Sequence, residues 1–168
     1  MTTNDRVTRH GRWAKALHWG VLLLFAIGLI RQVDELEELD DRAFLIEEFA
    51  FAAVFLFVLI LRFIYMRRKA VHQTGQSPQK MLKHVDRFTH LSMYLSLTTL
   101  VLSGLAIGVL YLWFSSASFV LGAALWLHEA SYWASVNLIV IHILIAVHHR
   151  RRRDGVWDSM VPLFKEKA

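Results

Sequence analysis

Cysteine is absent from the 168 residues. That excludes disulfides, iron–sulfur ligation and covalent attachment of a c-type haem. A small-residue cleavage site is missing after the first apolar run, so that run reads as a retained helix and not a signal peptide. Long polar stretches are missing too, which leaves no room for a separate catalytic domain, and no catalytic residue is assigned. Lysine and arginine are scarce in two of the three connections between apolar runs, where only Arg31 and Arg42 occur.

What is present is apolar surface, 55% of the chain, arranged in runs. A soluble domain of this size does not carry several apolar runs of about eighteen residues or more, so the pattern predicts an integral membrane protein. Four spans are expected, at about 13–30, 44–66, 87–113 and 128–149, forming one all-α four-helix bundle over 1–168. Residues 114–127 are apolar and serine-flecked. They are expected to lie along the interface or against a partner, because an exposed apolar loop is otherwise costly.

Charge sets the orientation. The N-terminus carries Arg6, Arg9 and Arg12, and the second connection carries Arg67, Arg68, Lys69, Lys80 and Lys83. The last span ends in His148, His149 and Arg150 to Arg153. The positive-inside rule then places both termini in the cytoplasm. Eight of the 14 acidic residues cluster on the outward side: Asp34, Glu35, Glu37, Glu38, Asp40, Asp41, Glu47 and Glu48. A one-signed outer loop of this kind could dock a basic protein partner, or be a solvated loop that follows topology. No nucleic-acid partner is expected.

Histidines carry the chemistry. His128 and His142 stand fourteen residues apart on the fourth span. On a helix both rings leave one face, roughly 21 Å apart along the axis. Two imidazoles at opposite depths of a bilayer core suit ligands for two stacked haems. The alternative for each is a histidine hydrogen-bonded between helices. Depth pairs His18, near the inner end of span one, with His142. His128 lies near the outer end, where no partner histidine exists; His10, His72, His84, His90, His148 and His149 are all inner or nearly so. His90 could replace either inner ligand, serve a quinone or propionate site, or be a polar interfacial residue. Arg62, a turn inside span two, could pair with a haem propionate or snorkel to the interface. His148 and His149 read as solvated or bound to lipid phosphate.

The stretch Arg12-Trp13-Ala14-Lys15-Ala16-Leu17-His18-Trp19 resembles the opening helix of the bacterial cytochrome b561 family. His90 with Tyr94 and Gly104 resembles that family's third helix, although Val101 stands where a proline is usual. His128-Glu129 with His142 is similar to its fourth helix, and the run from Arg153 to Pro162 is similar to its cytoplasmic tail. The resemblance covers nearly the whole chain. It implies a four-helix di-haem cytochrome that moves electrons between quinone and another donor or acceptor. One departure stands out. The family carries a histidine fourteen residues before the arginine of helix two, and counting back from Arg62 reaches Glu48. The resemblance therefore implies one haem b, held by His18 and His142 on the inner side, and an outer haem without its second ligand. His128 is then an orphan ligand, the sole ligand of a five-coordinate haem, or a hydrogen-bonded structural residue.

Three functions follow. The first is a membrane b-type cytochrome passing electrons between quinone and a partner redox protein, an electron-transfer oxidoreductase subunit. The second is a haem-free or haem-poor anchor or assembly subunit of a larger complex. The third is a self-standing superoxide:quinone oxidoreductase, which the acidic outer loop opposes because it would repel a small anion.

Overall fold

The structure is a computed structural model. It describes residues 12–31, 39–71, 80–113 and 119–152, with backbone alone for 69–71 and 80–87. Asp34, Glu35, Glu37, Glu38, His10, His72 and the tail from Arg153 lie outside the described residues, and so does the His84 side chain. Among the described residues, four helices make up the bundle: α1 (Arg12–Ile30), α2 (Arg42–Val71), α3 (Lys80–Trp113) and α4 (Phe119–Arg152). Each is long and apolar enough to cross a membrane.

The chain runs up and down, so the start of α1, the end of α2, the start of α3 and the end of α4 share one end. Arginines and histidines concentrate there, and it is termed the basic end. The opposite, acidic end carries Asp40, Asp41, Glu47 and Glu48. α3 packs most closely on α4, while α1 packs on α2 and α2 on α3. Between α1 and α4 there is no comparable backbone contact.

Periodicity explains which face each helix buries. On α1, Ala14, Val21 and Phe25 are buried, at spacings of seven and four. On α2, Phe55, Leu59 and Arg62 follow at four and three, so the arginine shares a stripe with two core residues. These stripes meet Leu97, Leu100 and Val101 of α3 in the main apolar core. A smaller core at the acidic end joins Leu39, Leu45, Ile107 and Leu121.

The α3–α4 seam is built from small residues. Ser96 and Ser103 on α3 and Ser131 and Ser135 on α4 are buried. The Ser135 hydroxyl donates to the Ser131 carbonyl at 2.7 Å and meets the Ser96 hydroxyl across the seam at 3.1 Å. Small side chains let two membrane helices approach, and a cross-helix hydrogen bond there adds roughly 0.6 kcal/mol. Along α4 the buried Leu121, Ser135 and His149 alternate with the half-buried His128 and His142 at every seventh residue.

One expectation is corrected. α4 begins at Phe119, so 119–127 continue the helix instead of forming an interfacial loop. The cause is burial: Leu121 is 0% exposed, enclosed by the acidic-end core. The run Leu121-Gly122-Ala123-Ala124-Leu125 is mostly made of strong helix formers. The outward surface of this extension stays apolar, with Phe119 90% and Trp126 70% exposed.

Candidate functional site

Three histidines from three helices converge at the basic end. The His18 and His142 ring centres are 6.1 Å apart, and those of His90 and His142 are 4.9 Å apart. All three are half-buried. They meet because α1 begins, α3 begins and α4 ends on the same side of the bundle. His18 and His142 face each other where α1 and α4 leave the backbones apart.

Arg62 adjoins this cluster. It is 7% exposed, and its guanidinium carbon lies 5.7 Å from the centre of the Tyr94 ring. The Phe63 ring packs edge-on against Tyr94 at 5.5 Å. The side chain is thus held inside the bundle and does not snorkel. Among the described residues no carboxylate pairs with it. A buried cation is costly unless an anion compensates it.

His149 differs from the sequence expectation. It is 5% exposed, whereas His148 is exposed, because only His149 falls on the seven-residue buried stripe of α4.

The acidic end has a different construction. His128 Nδ1 lies 3.0 Å from the Leu100 carbonyl and 3.1 Å from the Ser103 hydroxyl. A carbonyl only accepts, so Nδ1 donates and Nε2 is left as an acceptor. Gly104 admits the ring: a Cβ there would stand 3.1 Å from His128 Cε1 and 3.5 Å from Nδ1. Beside the ring is a cavity of about 500 Å³. Its lining includes Phe25, Phe51, Phe55, Tyr132, Glu48 and Arg31. Phe51 and Phe55 therefore wall the space without filling it, and Trp133, 55% exposed, is no part of the lining.

Glu48 lines that cavity and is ion-paired. Arg31 donates to its Oε1 at 2.7 Å from one guanidinium nitrogen and 3.1 Å from Nε, and it reaches Glu47 at 3.4 Å. Arg31 lies just outside span α1. Its hydrogen bond to Glu48, and then the charge of that carboxylate, raise the Arg31 pKa above the ordinary guanidinium value. The same guanidinium lies 5.8 Å from the centre of the Phe51 ring. Sequence reasoning did not assign Arg31 to a site. Its signal is that of a single cation at the end of a span, next to an acidic stretch. Nearby, the Tyr111 hydroxyl donates to Asp40 at 2.9 Å and ties the α1–α2 connection to the end of α3.

The two ends thus divide the predicted residues. His18, His90, His142 and Arg62 come together, and His128 lies apart with Glu48. Among the described residues no cluster of three or more histidine and carboxylate side chains is arranged to hold a bare metal ion.

A family model described as prokaryotic cytochrome b561 matches residues 9–163. No curated protein matches the chain, and no solved structure does.

Proposed function

The chain belongs to the prokaryotic cytochrome b561 family, and from that premise we propose that it carries electrons between quinone and a partner redox protein through one haem b on the basic side. Membership supports a membrane b-type cytochrome in electron transfer. The observation that carries the finer reading is the separation of His18 and His142. Two imidazoles that grip one iron from opposite sides, with metal–nitrogen distances of about 2 Å, leave ring centres about 6 Å apart. The His18–His142 value of 6.1 Å fits, and the His90–His142 value of 4.9 Å is too short. The sparse α1–α4 contact leaves room for a flat group between those two rings.

Arg62 supplies the second element of fit. Its buried charge, with no carboxylate partner among the described residues, suits a propionate carboxylate, which a planar guanidinium grips well. His18 and His142 would be the axial ligands, Arg62 the propionate partner, and His90 a neighbour that packs edge-on against His142. When bound, haem b supplies a one-electron iron couple. The apolar core of α1, α2 and α3 excludes water beside it. In this reading both termini are cytoplasmic, the membrane is the bacterial inner membrane, and the acidic end faces outward toward a basic partner.

The test is a haem count on purified protein. Wild type should show a Soret band and about one haem per chain, with a low-spin bis-imidazole spectrum. His18→Ala and His142→Ala should each abolish that spectrum while the protein still inserts, and His90→Ala should retain it. Unchanged spectra in both of the first two variants would remove the assignment.

A further inference from the structure

The cavity at the acidic end is not used by that function. Its wall is aliphatic and aromatic around four charged or titratable side chains, Arg31, Glu48, His128 and Tyr132. A mostly apolar cavity of this size with a few convergent polar groups is the usual form of a small-molecule site.

A second haem does not fit these residues. It needs an imidazole opposite His128, and the lining provides none. Its two propionates would bring two more negative charges, and the one cation of the lining, Arg31, is already engaged by Glu47 and Glu48. Like charges brought together at a partly buried rim are unfavourable. A neutral occupant avoids that conflict.

We propose that this cavity binds a neutral, lipophilic aromatic ring bearing hydroxyl groups, the chemistry of a hydroquinone. His128 sets the recognition. Its Nδ1 donates to the Leu100 carbonyl, so its Nε2 accepts a hydrogen bond from a ligand hydroxyl. The second polar point is the rim, where the Glu48 carboxylate accepts and Arg31 donates. Flat aromatic walls at Phe25, Phe51, Phe55 and Tyr132 complement a ring between these two points. Gly104 keeps the imidazole in position, because a Cβ there would stand 3.1 Å from the ring. Ligand entry from the bilayer is natural for a lipophilic molecule and costs no desolvation of charge.

The proposal rests on the reading of this chain as a cytochrome that exchanges electrons with quinone, and its test reads binding instead of turnover. Purified holoprotein in detergent is titrated anaerobically with decylubiquinol by calorimetry, alongside a haem count. Saturable binding is expected in wild type. His128→Leu should weaken it about tenfold, the effect of one lost hydrogen bond, with the Soret band and haem count unchanged. Glu48→Ala, a change at the rim outside the apolar core, should weaken it several-fold on the same grounds. Non-saturating uptake overturns the proposal, as does equal affinity in both variants. So does a haem count that falls by one in His128→Leu, because His128 would then hold a second haem. Wild type that lacks haem but binds the quinol through His128 would refute the inner-haem reading and support this site.

Discussion

Replacing Arg62 by methionine should act in opposite directions on the empty and the haem-loaded protein. The guanidinium is 7% exposed and has no carboxylate partner among the described residues. A buried unpaired ion costs on the order of several kcal/mol. Its contact with the Tyr94 ring returns roughly 0.5–2 kcal/mol. Methionine fills similar space without the charge, so the apoprotein should melt higher. In the loaded protein the same change removes a positive charge near the iron. At an effective dielectric constant of about 20 and a separation of about 10 Å, the Coulomb term is roughly 1.7 kcal/mol. For one electron that is about 70 mV, and its sign is fixed: losing a cation favours the oxidised iron and lowers the potential. Thermal melts with and without haem and a potentiometric titration read both effects. Arg62→Lys should retain most of the potential. A methionine variant that melts lower when empty and keeps the wild-type potential would refute the reasoning and make Arg62 a packing residue.

Three further outcomes follow. Glu48→His puts an imidazole into the cavity that His128 lines; haem content should rise by about one per chain, with a second reduction potential and loss of quinol binding, and an unchanged haem count would mean that the space does not admit a macrocycle. Gly104→Ala should cost about 1–2 kcal/mol in a thermal melt, since a Cβ 3.1 Å from the His128 ring strains its two hydrogen bonds by more than the helix gains from alanine; an unchanged melt would show that the ring shifts freely. Neutralising Asp34, Glu35, Glu37 and Glu38 should weaken association with a basic partner at low ionic strength, measured by co-purification, and no change would mean that the loop only follows topology.

The sequence by itself determined the four apolar helices, because mostly apolar stretches of about eighteen residues with few charges are long enough to cross a bilayer as helices. It also determined that His128 and His142 share a face, since that follows from helical period alone. The rings of His18 and His142, which depth along the spans paired, lie 6.1 Å apart. Residue order could not reveal what depends on contacts between helices. Arg62 became a buried cation through its stripe with Phe55 and Leu59, where the sequence left snorkelling open. Leu121 extended α4 because a second core surrounds it. Arg31 reached across to Glu48, seventeen residues on, through side-chain geometry that no periodicity encodes. The hydrogen bonds that set the His128 tautomer come from a different helix, and the volume beside that ring is a property of packed surfaces. Period and hydropathy fix which face a residue occupies and how deep it lies; the rotation of one helix against the next decides what it touches.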